Sequence, residues 1–327
     1  MPKPRKAQIS LDATPYYHCI SRCVRRSFLC GVDQYSGKSY EHRRQWVEDR
    51  LILLARTFAI DVCAFAVMSN HTHTVLRINQ TKAESWSTKE VVERWHRIYA
   101  GTTVSKRFLS GDTLLECELH HLHNLTQRWR ARLQDISWFM RSLNEPIARA
   151  ANQEDQCTGR FWEGRFKCQA LLDEQALAAC LAYVDLNPIR AGIADSPETS
   201  EHTSVQKRIR AAKSDTPYQP DYLLPFVGNP RKNQPDGLQF HLQDYLELVD
   251  WTGRIQRDDK RGAISTTLPP ILQRLNISEK QWIQLTGKME TLFPTFVGRA
   301  KQVKIASKTL GYRRVLGLAQ CRSLFPT

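Results

Sequence analysis

Residues 67–73 read Val-Met-Ser-Asn-His-Thr-His, and their two histidines stand two positions apart inside a β-rich run. Alternate side chains of a strand share one face, so His71 and His73 aim both imidazoles at one point. Neutral imidazoles converging in this way make half of a divalent-metal site. An H-x-H standing alone is more often a pair of half-exposed strand residues, so the pair needs partners elsewhere in the chain. Tyr183 and Asn187 supply the candidates: they lie four apart on an apolar helical run and share a face of its last turn. A phenol can attack a phosphodiester to give a phosphotyrosine. Such a reaction needs a divalent ion on the scissile phosphate. Two imidazoles and the Asn187 amide oxygen would hold Mg²⁺ or Mn²⁺ loosely, leaving positions open for phosphate oxygens. Each residue also has an ordinary role, Tyr183 as core beside Leu181 and Val184, Asn187 as a helix end before Pro188.

The elements that must position these groups follow from periodicity. Tyr16 to Arg22 alternates as a first strand, and His42 to Ile60 carries apolar residues at helical spacing with a charged opposite face. Val62–Met68 and Thr74–Ile78 then read as two strands around a Ser69-Asn70 turn, with His71 and His73 on the second strand. Residues 79–135 are charged and helical in parts; His120, His121 and His123 fall there at no recognised ligand spacing and read as a solvated helix face. Ile136 to Asn152 is a stronger helix in which Pro146 predicts a kink or break. Asp173 caps a helix that Pro188 stops.

The chain of 327 residues has Lys+Arg 47 against Asp+Glu 33, a net charge of +14 that points to a polyanionic partner. No apolar run is long enough to span a membrane, and no signal segment follows the basic start, so a cytoplasmic, nucleoid-associated protein with no membrane partner is expected. Nine cysteines never spaced C-x-x-C indicate neither a disulfide framework nor a zinc finger. Gly37-Lys38-Ser39 is not a phosphate loop, because Val32 stands where its first glycine is required. Between residues 159 and 167, Arg160, Phe161, Trp162, Arg165 and Lys167 interleave rings with cations, a mix suited to stacking on bases and holding phosphates. Residues 196–237 read as loops or linker. Residues 238–327 return to helical spacing as a basic module, with 14 Lys/Arg against 5 Asp/Glu from Asp250 onward.

Four blocks, Y-H-C-I-S-R (17–22), V-M-S-N-H-T-H (67–73), F-W-E-G-R-F-K (161–167) and Y-V-D-L-N-P-I-R-A-G (183–192), occur in the order found in the REP-associated tyrosine transposases. These are HUH-type, single-tyrosine enzymes, and the resemblance covers residues 10–195. It implies an α+β fold built on a ferredoxin-like antiparallel sheet with helices on one face, a helical insertion at 79–135 and a helical C-terminal extension. His71 and His73 match the histidine pair, Tyr183 the nucleophile, and Asn187 the residue that completes the metal site. Arg22 and Arg190, within the first and last blocks, join the expected DNA contacts. The implied substrate is single-stranded, hairpin-forming DNA, cleaved to leave a 5′-phosphotyrosine, by a monomer or a homodimer. A protein that binds hairpins without cutting is the alternative, and a metallohydrolase working through bound water is a third reading. Thr72 departs from the usual apolar residue between the histidines, and Ser69 from a frequent proline.

Overall fold

The computed structural model describes residues 8–24, 29–33, 36–214, 218–256 and 269–325. Residues 1–7 of the basic leader, and Arg257, Lys260 and Arg261 of the basic tail, lie outside them. The chain begins with β1 (Tyr16–Arg22), α1 (Arg43–Thr57), β2 (Ile60–Val67) and β3 (His71–Ile78). Helices α2 (Gln80–Ser85), α3 (Thr88–His96), α4 (Thr103–Ser110), α5 (Glu116–Leu133) and α6 (Ile136–Glu154) follow. Then come β4 (Lys167–Leu171), α7 (Glu174–Asp185), the short α8 (Asn187–Arg190) and α9 (Ser204–Ala212). The last part holds α10 (Leu242–Gln256), α11 (Pro270–Arg274), α12 (Glu279–Leu292), β5 (Phe296–Val297), α13 (Ala300–Thr309) and α14 (Leu318–Leu324).

The sheet runs β2-β3-β1-β4-β5, antiparallel throughout except for the β4–β5 pair. With α1 crossing from β1 to β2 and α6 leading into β4, the first four strands have the ferredoxin-like βαββαβ order. The fold is α+β with a helical C-terminal extension, as expected. The hairpin carrying the histidines closes where Met68 N–H donates to the His71 carbonyl at 2.9 Å.

Both crossover helices lie on one face. Thr74 Oγ1 sits 3.8 Å from Met140 Sδ, and Asn144 Nδ2 donates to Ser21 Oγ at 2.7 Å, which places α6 there. Helix α1 packs beside it, with Phe58 edge-on to Phe139. His71 and His73 alternate with Thr72 and Thr74, so they point from the opposite face. That second face is not left open: α7 and the C-terminal extension cover it, a helical layer beyond the one-sided arrangement the resemblance implies.

Helix α6 continues through Pro146. A proline lacks the N–H that the carbonyl of residue i−4 would accept. Here that carbonyl belongs to Ser142, and Arg50 Nε donates to it at 2.8 Å, so the freed acceptor is satisfied from α1. The stretch expected as linker also carries structure. Thr203 caps α9, Ser204 Oγ accepts the Phe65 N–H at 2.9 Å, and the buried Arg208 donates to the carbonyls of Cys63 and Leu224. Its short helix is locked to β2 by side chain–backbone bonds and buries Val205 and Ile209, four residues apart on one face. No described helix is long and apolar enough to cross a membrane.

Candidate active site

Strand alternation and pairing assemble the site. On β3, His71 and His73 face the same way; on β1 and β4, His18 and Gln169 stand opposite one another on that face. The His71 and His73 ring centroids are 4.7 Å apart. His71 Nδ1 meets the Asn70 side-chain oxygen at 2.6 Å, which leaves its Nε2 directed away from the strand. His73 is fully buried; its Nε2 faces Asn187 Nδ2 at 2.7 Å and its Nδ1 meets His18 Nε2 at 2.9 Å. His18 Nδ1 meets Gln169 Oε1 at 2.7 Å, and Gln169 Nε2 donates to the Phe293 carbonyl.

Helix α7 brings Tyr183 over this face because Asp173 caps its start, accepting from Ala176 N–H at 2.9 Å, and its buried alanines allow close approach to the sheet. The Tyr183 ring lies edge-on to His73 at 5.6 Å and to His18 at 5.9 Å between centroids. α7 ends at Asp185, and Pro188 opens the separate turn α8, which turns Asn187 back to His73. His71, His73, Tyr183 and Asn187 therefore meet at one place.

Burial sets the electrostatics. It pushes His18 and His71 down to about 4 and His73 further, the neighbouring rings and Arg22 adding to the effect on the pair, so all three are neutral at pH 7. Burial raises the Tyr183 phenol above its ordinary value, partly offset by the Arg190 guanidinium 4.2 Å above its ring. The donor set suits a divalent ion: two deprotonated imidazoles and a carboxamide, with His73 braced through its other ring nitrogen. Among the described residues no three His, Cys, Asp or Glu side chains converge on a metal position, and Asn187 meets His73 with its amide nitrogen, so its Oδ1 would face an ion there only with the amide turned over.

The expected DNA contacts divide. Arg22, Arg160, Arg165 and Lys167 are exposed. Arg22 and Lys167 flank the site and share the carboxylate of Glu290, at 3.6 Å and 2.8 Å. Phe161, in contrast, is buried in the core, and Trp162 is half-buried with its indole N–H on the Asn144 carbonyl at 2.8 Å. Arg190 turns inward and donates to the carbonyls of Tyr183 and Thr286. Phe161 is taken up in packing, while Trp162 and Arg190 keep part of their surface exposed and have polar groups engaged within the chain. Sequence reasoning missed His18, Gln169 and Glu290. The β alternation of residues 16–22 marks His18 as facing one way, but nothing in the sequence pairs it with Gln169 or His73.

No family model matches the chain. No curated protein matches it either. Among solved structures it has a distant likeness to that of a REP-associated tyrosine transposase bound to a REP hairpin, with 12% identity and a TM-score of 0.38 over 68% of this chain and 93% of that one.

Proposed function

We propose that the protein is a metal-dependent single-stranded DNA endonuclease and strand transferase, acting on hairpin-forming palindromic repeats through a 5′-phosphotyrosine link. One observation carries the reading: a phenol from α7 lies edge-on to the neutral imidazole of His73, which His71 meets from the same strand and Asn187 from the turn after α7. His71, His73 and Asn187 are the residues to hold Mg²⁺ or Mn²⁺, the imidazoles favouring Mn²⁺. Such an ion, when bound, neutralises charge developing on the scissile phosphate. Tyr183 Oη then forms a bond to phosphorus as its proton passes to solvent, the P–O3′ bond breaks, and the 3′ oxygen leaves as a hydroxyl by taking a proton from solvent. Reversal by a 3′-hydroxyl re-forms a phosphodiester and consumes no nucleotide. Arg22 and Lys167 stand where a strand entering the site would lay its backbone.

The test is a labelled hairpin oligonucleotide incubated with Mn²⁺ and run on a denaturing gel. The wild-type chain is expected to leave a covalent protein–DNA band. Tyr183→Phe is expected to leave none and to lose at least about a thousandfold in cleavage rate. Nicking by Tyr183→Phe without an adduct would instead support water activation at the histidine pair. Tight hairpin binding with no cleavage by the wild-type chain would leave the non-cutting alternative.

A further inference from the structure

We infer that His18 is a positioning residue: it fixes the tautomer of His73 and thereby keeps the Nε2 lone pair of that ring directed at the metal position. The inference rests on the proposed site but on different observations. It starts at a backbone carbonyl, which can only accept. The Phe293 carbonyl accepts a hydrogen bond from Gln169 Nε2, so the other end of that carboxamide, Oε1, is an acceptor. His18 Nδ1, 2.7 Å from that oxygen, must carry its proton. His18 lies fully buried, and its ring is neutral with that proton in place, so its Nε2 is a bare acceptor. His73 Nδ1, 2.9 Å away, must then be the donor. The proton of His73 is thus on Nδ1, and Nε2 keeps its lone pair, which accepts from Asn187 Nδ2 at 2.7 Å when no ion is bound.

Each link follows from the one before, and the first is supplied by the C-terminal extension just beyond α12. The geometry comes from three strands: His18 and Gln169 are cross-strand partners on β1 and β4, and His18 is the diagonal neighbour of His73 across the β1–β3 ladder. A ring held in this way does not have to shift its proton or turn before it can ligate. Ligand histidines of metal sites commonly have such a partner, and losing it lowers metal affinity roughly 10–100-fold.

The experiment uses the full chain without DNA. In metal-free protein, ¹⁵N-correlated imidazole spectra report which nitrogen of His73 bears the proton, and Mn²⁺ titration followed by electron paramagnetic resonance gives affinity. The wild type is expected to show a protonated Nδ1 and bare Nε2 on His73. His18→Leu removes the acceptor and is expected to mix the two tautomers and weaken Mn²⁺ binding roughly 10–100-fold. His18→Gln restores an acceptor for His73 and a donor for Gln169, and is expected to stay within about threefold of wild type in affinity with the tautomer retained. A structural role alone would move the unfolding midpoint of both variants and leave the His73 proton where it was. A proton on Nε2 in the wild type, or undiminished Mn²⁺ affinity in His18→Leu, overturns the inference. Should His18→Leu fail to fold, the wild-type spectrum and His18→Gln still decide it. A wild type that shows the assigned tautomer but forms no DNA adduct would refute the proposed function and leave the positioning role standing.

Discussion

Tyr183 and Asp185 stand two residues apart on the last turn of α7, about 200° around its axis, and each meets a buried polar cluster. The Asp185 cluster is closed. Its carboxylate accepts from Ser204 Oγ and Tyr245 Oη, both at 2.5 Å, and from Val205 N–H at 3.1 Å, so α9 and α10 are tied to α7 through one side chain. The histidine cluster on the other side is bonded mainly at its back. His18, Gln169 and the Phe293 carbonyl complete one another and Asn187 Nδ2 meets His73 Nε2, while the His71 Nε2 and the Tyr183 phenol remain available. A saturated cluster can hold a shape and do nothing else. One left incomplete on a single side, with its back fixed, is arranged for something that arrives.

The two clusters are expected to fail differently. Asp185→Ala strands three buried donors at once, two of them bonded to the carboxylate at short distance. It is expected to lower unfolding free energy by about 3–5 kcal/mol. Urea titration reads that directly, and Mn²⁺ affinity measured below the transition should stay close to wild type. A stable Asp185→Ala variant that has lost the metal would invert the comparison.

Acidification probes the other cluster. His18 in the folded chain is held at about 4 against an ordinary 6.5, so the folded state resists a proton that the unfolded chain accepts. Its contribution is therefore intact above pH 6.5 and is lost as pH falls toward 4. For His18 alone the loss by pH 5 is about 2 kcal/mol. Chelator-treated protein should show this decline, and His18→Leu should show a shallower one. Equal slopes would mean the ring is far more solvated than its burial indicates.

The legible and illegible parts of the molecule separate along the same line. The hairpin with His71 and His73, the Asp173 cap and the turn at Pro188 are local patterns, and each could be read from a few consecutive residues. The spacing of Tyr183 and Asn187 predicts one shared last turn, but α7 ends at Asp185 and Asn187 lies in the separate α8; that they meet the histidine pair depends on α7 packing over the sheet. What could not be read is long-range: His18 opposite Gln169 depends on β1–β4 register, and Glu290 reaches the site from α12, far along the chain. Periodicity found α6, but Pro146 does not break it, because the partner that satisfies the Ser142 carbonyl comes from another helix. Phe161 shows the same limit. Rings among cations look the same in sequence whether they face a base or the core, and this one faces the core.

The smallest expected effect concerns the mouth of the open cluster. Glu290 is mostly buried, and although burial alone would raise it, Lys167 and Arg22 hold its carboxyl below the usual range, so it is a carboxylate at pH 7. A carboxylate between two cations satisfies them much as a DNA phosphate would, and on the proposed function a strand entering the site would have to displace it. Exposed pairs of this kind are worth about 0–1 kcal/mol, because water screens Arg22 and Lys167 on their open sides. Glu290→Gln keeps the shape and removes the competitor. Single-stranded oligonucleotide binding is then expected to tighten about two- to fivefold at low salt, corresponding to less than about 1 kcal/mol. With both cations free to engage phosphates, the dependence of log affinity on log salt should steepen by about one. Unchanged affinity and slope would place the DNA path away from Arg22 and Lys167, leaving the open side of the histidine cluster to a different approach.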